Sequence, residues 1–62
     1  MPFVTVKLIE GRTNEQKRGM VKDVTEAIVK NIGCPVTAVH IDIIELKREN
    51  IGQAGNLMSD IK

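Results

Sequence analysis

The sequence predicts an α+β fold: a single βαβ unit with two parallel strands and one long helix, followed by a short C-terminal hairpin. Three patterns in the 62 residues predict it. Residues 3–9 and 38–45 alternate apolar and polar positions with period two, as half-covered strands do. Between them, apolar residues recur at spacings of three and four, the signature of a helix with one buried stripe. A strand–helix–strand connection of this length makes the two strands parallel.

The first strand, 3–9, places Val4, Val6 and Leu8 on one face and Phe3, Thr5 and Lys7 on the other. Glu10-Gly11-Arg12 is a short loop. Thr13 stands three residues before Gln16, the capping-box spacing that satisfies free amides at a helix start. Glu15 adds negative charge where the helix dipole favours it. Met20, Val21, Val24, Ala27, Ile28 and Ile32 form the apolar stripe. Arg18, Lys22, Glu26 and Lys30 line the opposite, solvated side. Gly19 weakens the helix by about 1 kcal/mol relative to alanine and points to a close approach by a neighbouring element. Gly33 is the expected left-handed cap and Pro35 follows it, so the helix runs from about 14 to 32. In the second strand Val39, Ile41 and Ile43 face one way, and His40, Asp42 and Ile44 the other. Lys47-Arg48-Glu49-Asn50 is a polar turn. The segment Ile51–Met58 is apolar but broken by glycines, which favours a hairpin or loop over a helix.

A chain this short makes one domain, residues 1–62, with a modest core, and such domains usually need a staple. Cys34 is the only cysteine, so no disulfide forms within the chain. Cys34 and His40 fall short of the four ligands a structural zinc takes, so no metal site is expected. A helix covers only one face of a two-stranded sheet and leaves the other face and both edges bare. Self-association is therefore the expected staple, with the apolar C-terminal tail docked on a neighbour. The net charge of +1 is interspersed and Phe3 is the sole aromatic, which gives nucleic acid no basic footprint and no stacking platform. No segment approaches membrane-spanning length and no signal peptide is visible, so the expected location is cytoplasmic.

The amino terminus carries the chemistry. Initiator methionine is commonly removed before a small residue, which would leave Pro2 with a free secondary amine at the start of a strand. Pro35 has its nitrogen locked in an amide. An ordinary α-amino group titrates at about 7.7–8.0. Apolar surroundings and a nearby cation disfavour its protonated form and bring it towards neutrality, the range suited to proton transfer. The plainer reading is that proline simply starts a strand well.

Pro2, the run Glu10-Gly11-Arg12-Thr13-Asn14-Glu15-Gln16-Lys17-Arg18, then Val24-Thr25-Glu26-Ala27, then Asn50-Ile51-Gly52-Gln53-Ala54-Gly55, together resemble the 4-oxalocrotonate tautomerase family over essentially the whole chain. The resemblance implies a cofactor-independent isomerase that assembles as a homohexamer, a trimer of dimers whose paired βαβ units form four-stranded sheets. It implies that Pro2, after loss of Met1, is the general base. Pro2 would move a proton between the 2-hydroxyl side of a dienol and a distant carbon of an unsaturated 2-oxo acid. Arg12 would bind the far carboxylate of a dicarboxylate substrate, a role for which a planar guanidinium is suited. The alternative for Arg12 is a surface ion pair with Glu10 or Glu15, worth little.

Two positions depart from the family pattern. Where well-known members carry a second arginine on strand two, supplied by a neighbouring subunit, this chain has His40. Histidine is mostly neutral at pH 7 but still donates a hydrogen bond to a carbonyl or carboxylate. The other reading is a histidine buried at a subunit contact. Where the family places an aromatic beside the proline, this chain has Ile51, which also excludes water. A smaller or monoacid enol such as phenylenolpyruvate then stands beside 2-hydroxymuconate as a substrate. Three further readings stay open: dehalogenase or hydratase chemistry on the same scaffold, a subunit of a heteromer, and a non-catalytic assembly module. The first would need a carboxylate placed to activate water. Asp42 and Glu45 do not form such a pair, because strand parity sends them to opposite faces. Cys34 follows the helix end, where nothing lowers its pKa. Met20 and Met58 read as core or interface fillers.

Overall fold

The computed structural model describes residues 1–61. Strand β1 (Phe3–Ile9) leads through a short loop into helix α1 (Asn14–Ile32), and strand β2 (His40–Leu46) returns parallel to β1. The C-terminal segment adds a two-residue hairpin, β3 (Gly52–Gln53) and β4 (Asn56–Leu57), flanked by single 3-10 turns at Arg48–Asn50 and Met58–Asp60. Both central hairpin residues, Ala54 (φ 54°) and Gly55 (φ 83°), take positive φ, the geometry that matches strand twist in a two-residue turn.

The helix starts and stops where its caps dictate. The Thr13 hydroxyl accepts from the Gln16 N–H at 3.1 Å, and the Gln16 side-chain oxygen accepts from the Thr13 N–H at 3.0 Å. At the other end Gly33 turns left-handed (φ 80°) and its N–H donates to the Val29 carbonyl at 2.9 Å. Thr13→Ala removes one arm of the box and is expected to cost about 1 kcal/mol. Thermal unfolding at fixed protein concentration checks this as a lowered midpoint.

The second strand begins at His40 rather than residue 38. Val36–Ala38 winds into a 3-10 turn after Pro35, and the ladder opens where the His40 N–H donates to the Pro2 carbonyl at 3.1 Å. It also runs one residue further, to Leu46, beyond which the Glu10 N–H donates to the Leu46 carbonyl at 2.9 Å. The helix stripe is rotated from the expected one. Met20, Val21, Val24 and Ile28 are half-buried as expected, joined by Lys17, Thr25 and Val29, while Ala27 and Ile32 are exposed. Length explains Ile32, which is 65% exposed. Nineteen helical residues span about 28 Å while a seven-residue strand spans about 20 Å, so the last turn overhangs the sheet. Among the described residues no neighbouring atom lies within 4 Å of where a side chain at Gly19 would begin, so no described element approaches it closely.

Register pairs Val4 with Ile41 and Val6 with Ile43 on the helix-covered face. On the other face Phe3 pairs with His40, Thr5 with Asp42 and Lys7 with Ile44, and all six are exposed. Among the described residues none is fully buried. The radius of gyration, 14.9 Å, compares with about 10.6 Å for a compact domain of this length. The accessible surface of 4950 Å² likewise exceeds the roughly 4000 Å² of a compact monomer of this mass. The chain is a secondary-structure unit with one open face rather than a domain with a closed core.

Candidate active site

Parallel strands put both amino ends together and both carboxyl ends together, and this sorts the candidate residues into two groups. Pro2 and His40 lie at the amino end. They are tied by the His40 N–H bond to the Pro2 carbonyl, which fixes the backbone at the head of β1. Pro2 is half-buried, whereas Met1 ahead of it is 80% exposed. The His40 ring stacks on Phe3, with centroids 5.2 Å apart and planes 19° from parallel. Phe3 is 73% exposed, so this stack stands on the bare sheet face. Such a pair is worth about 0.5–1.5 kcal/mol beyond its buried area, enough to bias the imidazole to one orientation.

Arg12 and Ile51 lie at the carboxyl end. Gly11, at φ 114°, makes the turn that carries the chain from β1 to Arg12. L side chains rarely adopt that conformation, so glycine is required there. Arg12 lines two shallow grooves. One, of about 250 Å³, is bounded by Leu8, Gln16, Lys17 and Met20. The other, of about 220 Å³, is bounded by Ile9, Glu10, Gly11 and Arg48. Among the described residues the sole ion pair is Lys17–Glu45, so the alternative pairing of Arg12 with Glu10 or Glu15 does not form. Ile51 is half-buried and held by two backbone bonds: its N–H donates to the Arg48 carbonyl at 3.2 Å, and its carbonyl accepts from the Met58 N–H at 2.8 Å.

The two groups are separated by the whole of β1, about 20 Å of extended chain. A small enol acid is far shorter than that. One chain therefore brings Pro2 to His40 and Arg12 to Arg48, with Ile51 three residues beyond, but does not bring Pro2 to Arg12.

The carboxylates divide as parity requires. Asp42 accepts from the Thr5 hydroxyl at 3.2 Å on the bare face, and Glu45 reaches Lys17 of the helix. No group of three or more potential metal ligands occurs among the described residues. No helix among them is long and apolar enough to cross a membrane.

Three features were not anticipated from sequence: the Phe3–His40 stack, the Lys17–Glu45 tie between helix and sheet, and Arg48 beside Arg12. The last had a signal. Each arginine stands just past the carboxyl end of its strand, and parallel pairing makes such positions neighbours.

A family model described as "Tautomerase enzyme" matches residues 2–61. A probable tautomerase of Listeria monocytogenes is 43% identical over 61 residues, covering 98% of this chain and all of the relative. A 2-hydroxymuconate tautomerase of Bacillus subtilis is 42% identical over 62 residues, covering the whole of both chains. Among solved structures, a homologue of 4-oxalocrotonate tautomerase superposes with a TM-score of 0.93 at 41% identity, covering 98% of this chain and all of the other.

Proposed function

The chain belongs to the tautomerase family of enzymes, and we propose that within it the chain interconverts the enol and keto forms of a 2-hydroxydienoate or 2-oxo acid. Pro2, freed by removal of Met1, is the general base. The reaction is a proton transfer with no change of oxidation state, so it needs no redox cofactor. The observation that carries this reading is the placement of Pro2: half-buried at the head of β1, anchored through its carbonyl, behind a Met1 that projects into solvent. The likeness to a 2-hydroxymuconate tautomerase along the whole of both chains supports the substrate class.

In this mechanism the Pro2 nitrogen accepts the proton of the 2-hydroxyl group as the carbonyl forms. The electron pair moves along the conjugated chain towards the far carboxylate. The protonated Pro2 then delivers its proton to the distant carbon. Arg12 binds the far carboxylate and draws electron density towards it. His40 donates a hydrogen bond at the 2-oxo acid end, and Ile51 keeps water from the amine.

Because Pro2 and Arg12 are separated by the length of β1, the proposed site is built from two copies. Among the described residues β1 pairs only with β2, which leaves its other edge free. Antiparallel pairing of two β1 strands about Val6 would set Pro2 of one copy against Glu10 of the other, two residues from Arg12. The same operation makes a four-stranded sheet with two equivalent sites. Three such dimers in a homohexamer would cover the bare faces.

The test is ketonisation of 2-hydroxymuconate and phenylenolpyruvate, followed by ultraviolet absorbance, with protein whose intact mass shows that it starts at Pro2. Rates well above buffer are expected. No rate with either enol from assembled, Met1-free protein would overturn the reading.

A further inference from the structure

The carboxyl end of the sheet holds a second arginine that the proposed mechanism does not use. The backbone bond from Glu10 N–H to the Leu46 carbonyl clamps the exits of the two strands together. Arg12 stands two residues beyond Glu10, and Arg48 two residues beyond Leu46. The clamp makes them neighbours, and both line one groove of about 220 Å³ with Ile9, Glu10 and Gly11. Among the described residues the Glu10 carboxylate is the only negative charge lining that groove, against two guanidinium groups. Neither arginine has a carboxylate within ion-pair distance among the described residues. Two unpaired planar cations on one concave surface form a receptor for a carboxylate, each able to place two N–H donors on it.

We propose that Arg48 acts with Arg12 as a carboxylate clamp that makes the chain selective for dicarboxylate substrates, in which the carboxylate far from the 2-oxo group is held between the two arginines. This rests on the tautomerase reading for its catalytic consequence. It strengthens the anchor at the carboxyl end of the sheet, where the cations are, and leaves the 2-oxo acid end to the weaker hydrogen bond from His40. Histidine on strand two then costs the enzyme affinity for the 2-oxo acid end without removing its preference for a diacid.

The experiment compares the wild type with Arg48→Gln and Arg48→Lys, all shown by native mass to assemble alike. Two ratios are read. The first is kcat/KM for 2-hydroxymuconate over that for phenylenolpyruvate, which lacks the far carboxylate. The second is the affinity ratio of the unreactive diacid muconate over the monoacid sorbate, which has the same carbon chain, measured calorimetrically. Arg48→Gln is expected to lower both ratios about tenfold or more, the effect of losing a charge-assisted hydrogen-bonding partner. Arg48→Lys keeps the charge but not the fork and falls between. Unchanged ratios in Arg48→Gln would overturn the proposal, as would a wild type that does not prefer muconate to sorbate. If the wild type turns over neither enol but its preference for muconate depends on Arg48, the catalytic reading fails and the carboxylate clamp stands.

Discussion

Pro2→Ala lowers kcat/KM for enol ketonisation by about 10²–10⁴-fold, the contribution of a positioned general base. The absorbance assay on mass-verified protein measures it. Alanine still offers a primary amine at the chain start, so some activity remains. Retention of Met1 is more severe, because it turns the Pro2 nitrogen into an amide with no basic lone pair, and activity falls to the buffer rate. The pH profile has a defined sign. Only the unprotonated amine accepts a proton, so kcat/KM rises with pH through one ionisation. A Pro2→Ala enzyme with near-wild-type kcat/KM would remove Pro2 from the mechanism.

The second large effect is a recovery. Arg12→Ala alone is expected to lower kcat/KM for a diacid enol by about 10–150-fold, through loss of a charge-assisted bond. Mixing unfolded Pro2→Ala and Arg12→Ala chains and refolding them together restores activity. Half of the randomly formed dimers are mixed, and each mixed dimer joins an intact Pro2 to an intact Arg12 at one of its two sites. The mixture therefore recovers about a quarter of the wild-type rate. No recovery, from a mixture whose native mass shows normal assembly, would mean that Pro2 and Arg12 act within one chain or in separate sites. A chain carrying both substitutions, refolded with wild type, forms mixed dimers with no intact site and serves as the control.

Most of the fold was legible because its signals are local. Thr13, Gln16 and Gly33 bound the helix by hydrogen bonds within one turn, and the expected range of about 14–32 agrees with Asn14–Ile32. Alternation gave β1 its observed bounds, and the glycine-broken tail gave a hairpin. The start of β2 was less legible, because Val36-Thr37-Ala38 is as apolar as a strand and only the partner at Pro2 decides where pairing begins. Ile32 satisfied the periodicity and is exposed because the sheet beneath it is too short, a fact of relative length rather than of pattern. At the candidate site the motif residues were visible one by one. Their division between opposite ends of β1 was not, since nothing in a linear motif says that Pro2 and Arg12 stand a full strand apart. The Phe3–His40 stack and the Arg12–Arg48 groove were hidden for a related reason. Each joins residues more than thirty positions apart, and only the parallel register brings them together.

That none of the described residues is fully buried has a consequence for the life of the molecule in a cell. If copies cover the bare face as proposed, most of the apolar surface removed from water is removed at contacts between chains, and an unpartnered chain has little to hold it folded. A newly made subunit would then stay open to proteases until it meets others, and its survival would depend on how many siblings are present. Abundance would respond to synthesis as a threshold: scarce chains are cleared, and chains above the assembly concentration persist as long-lived oligomers.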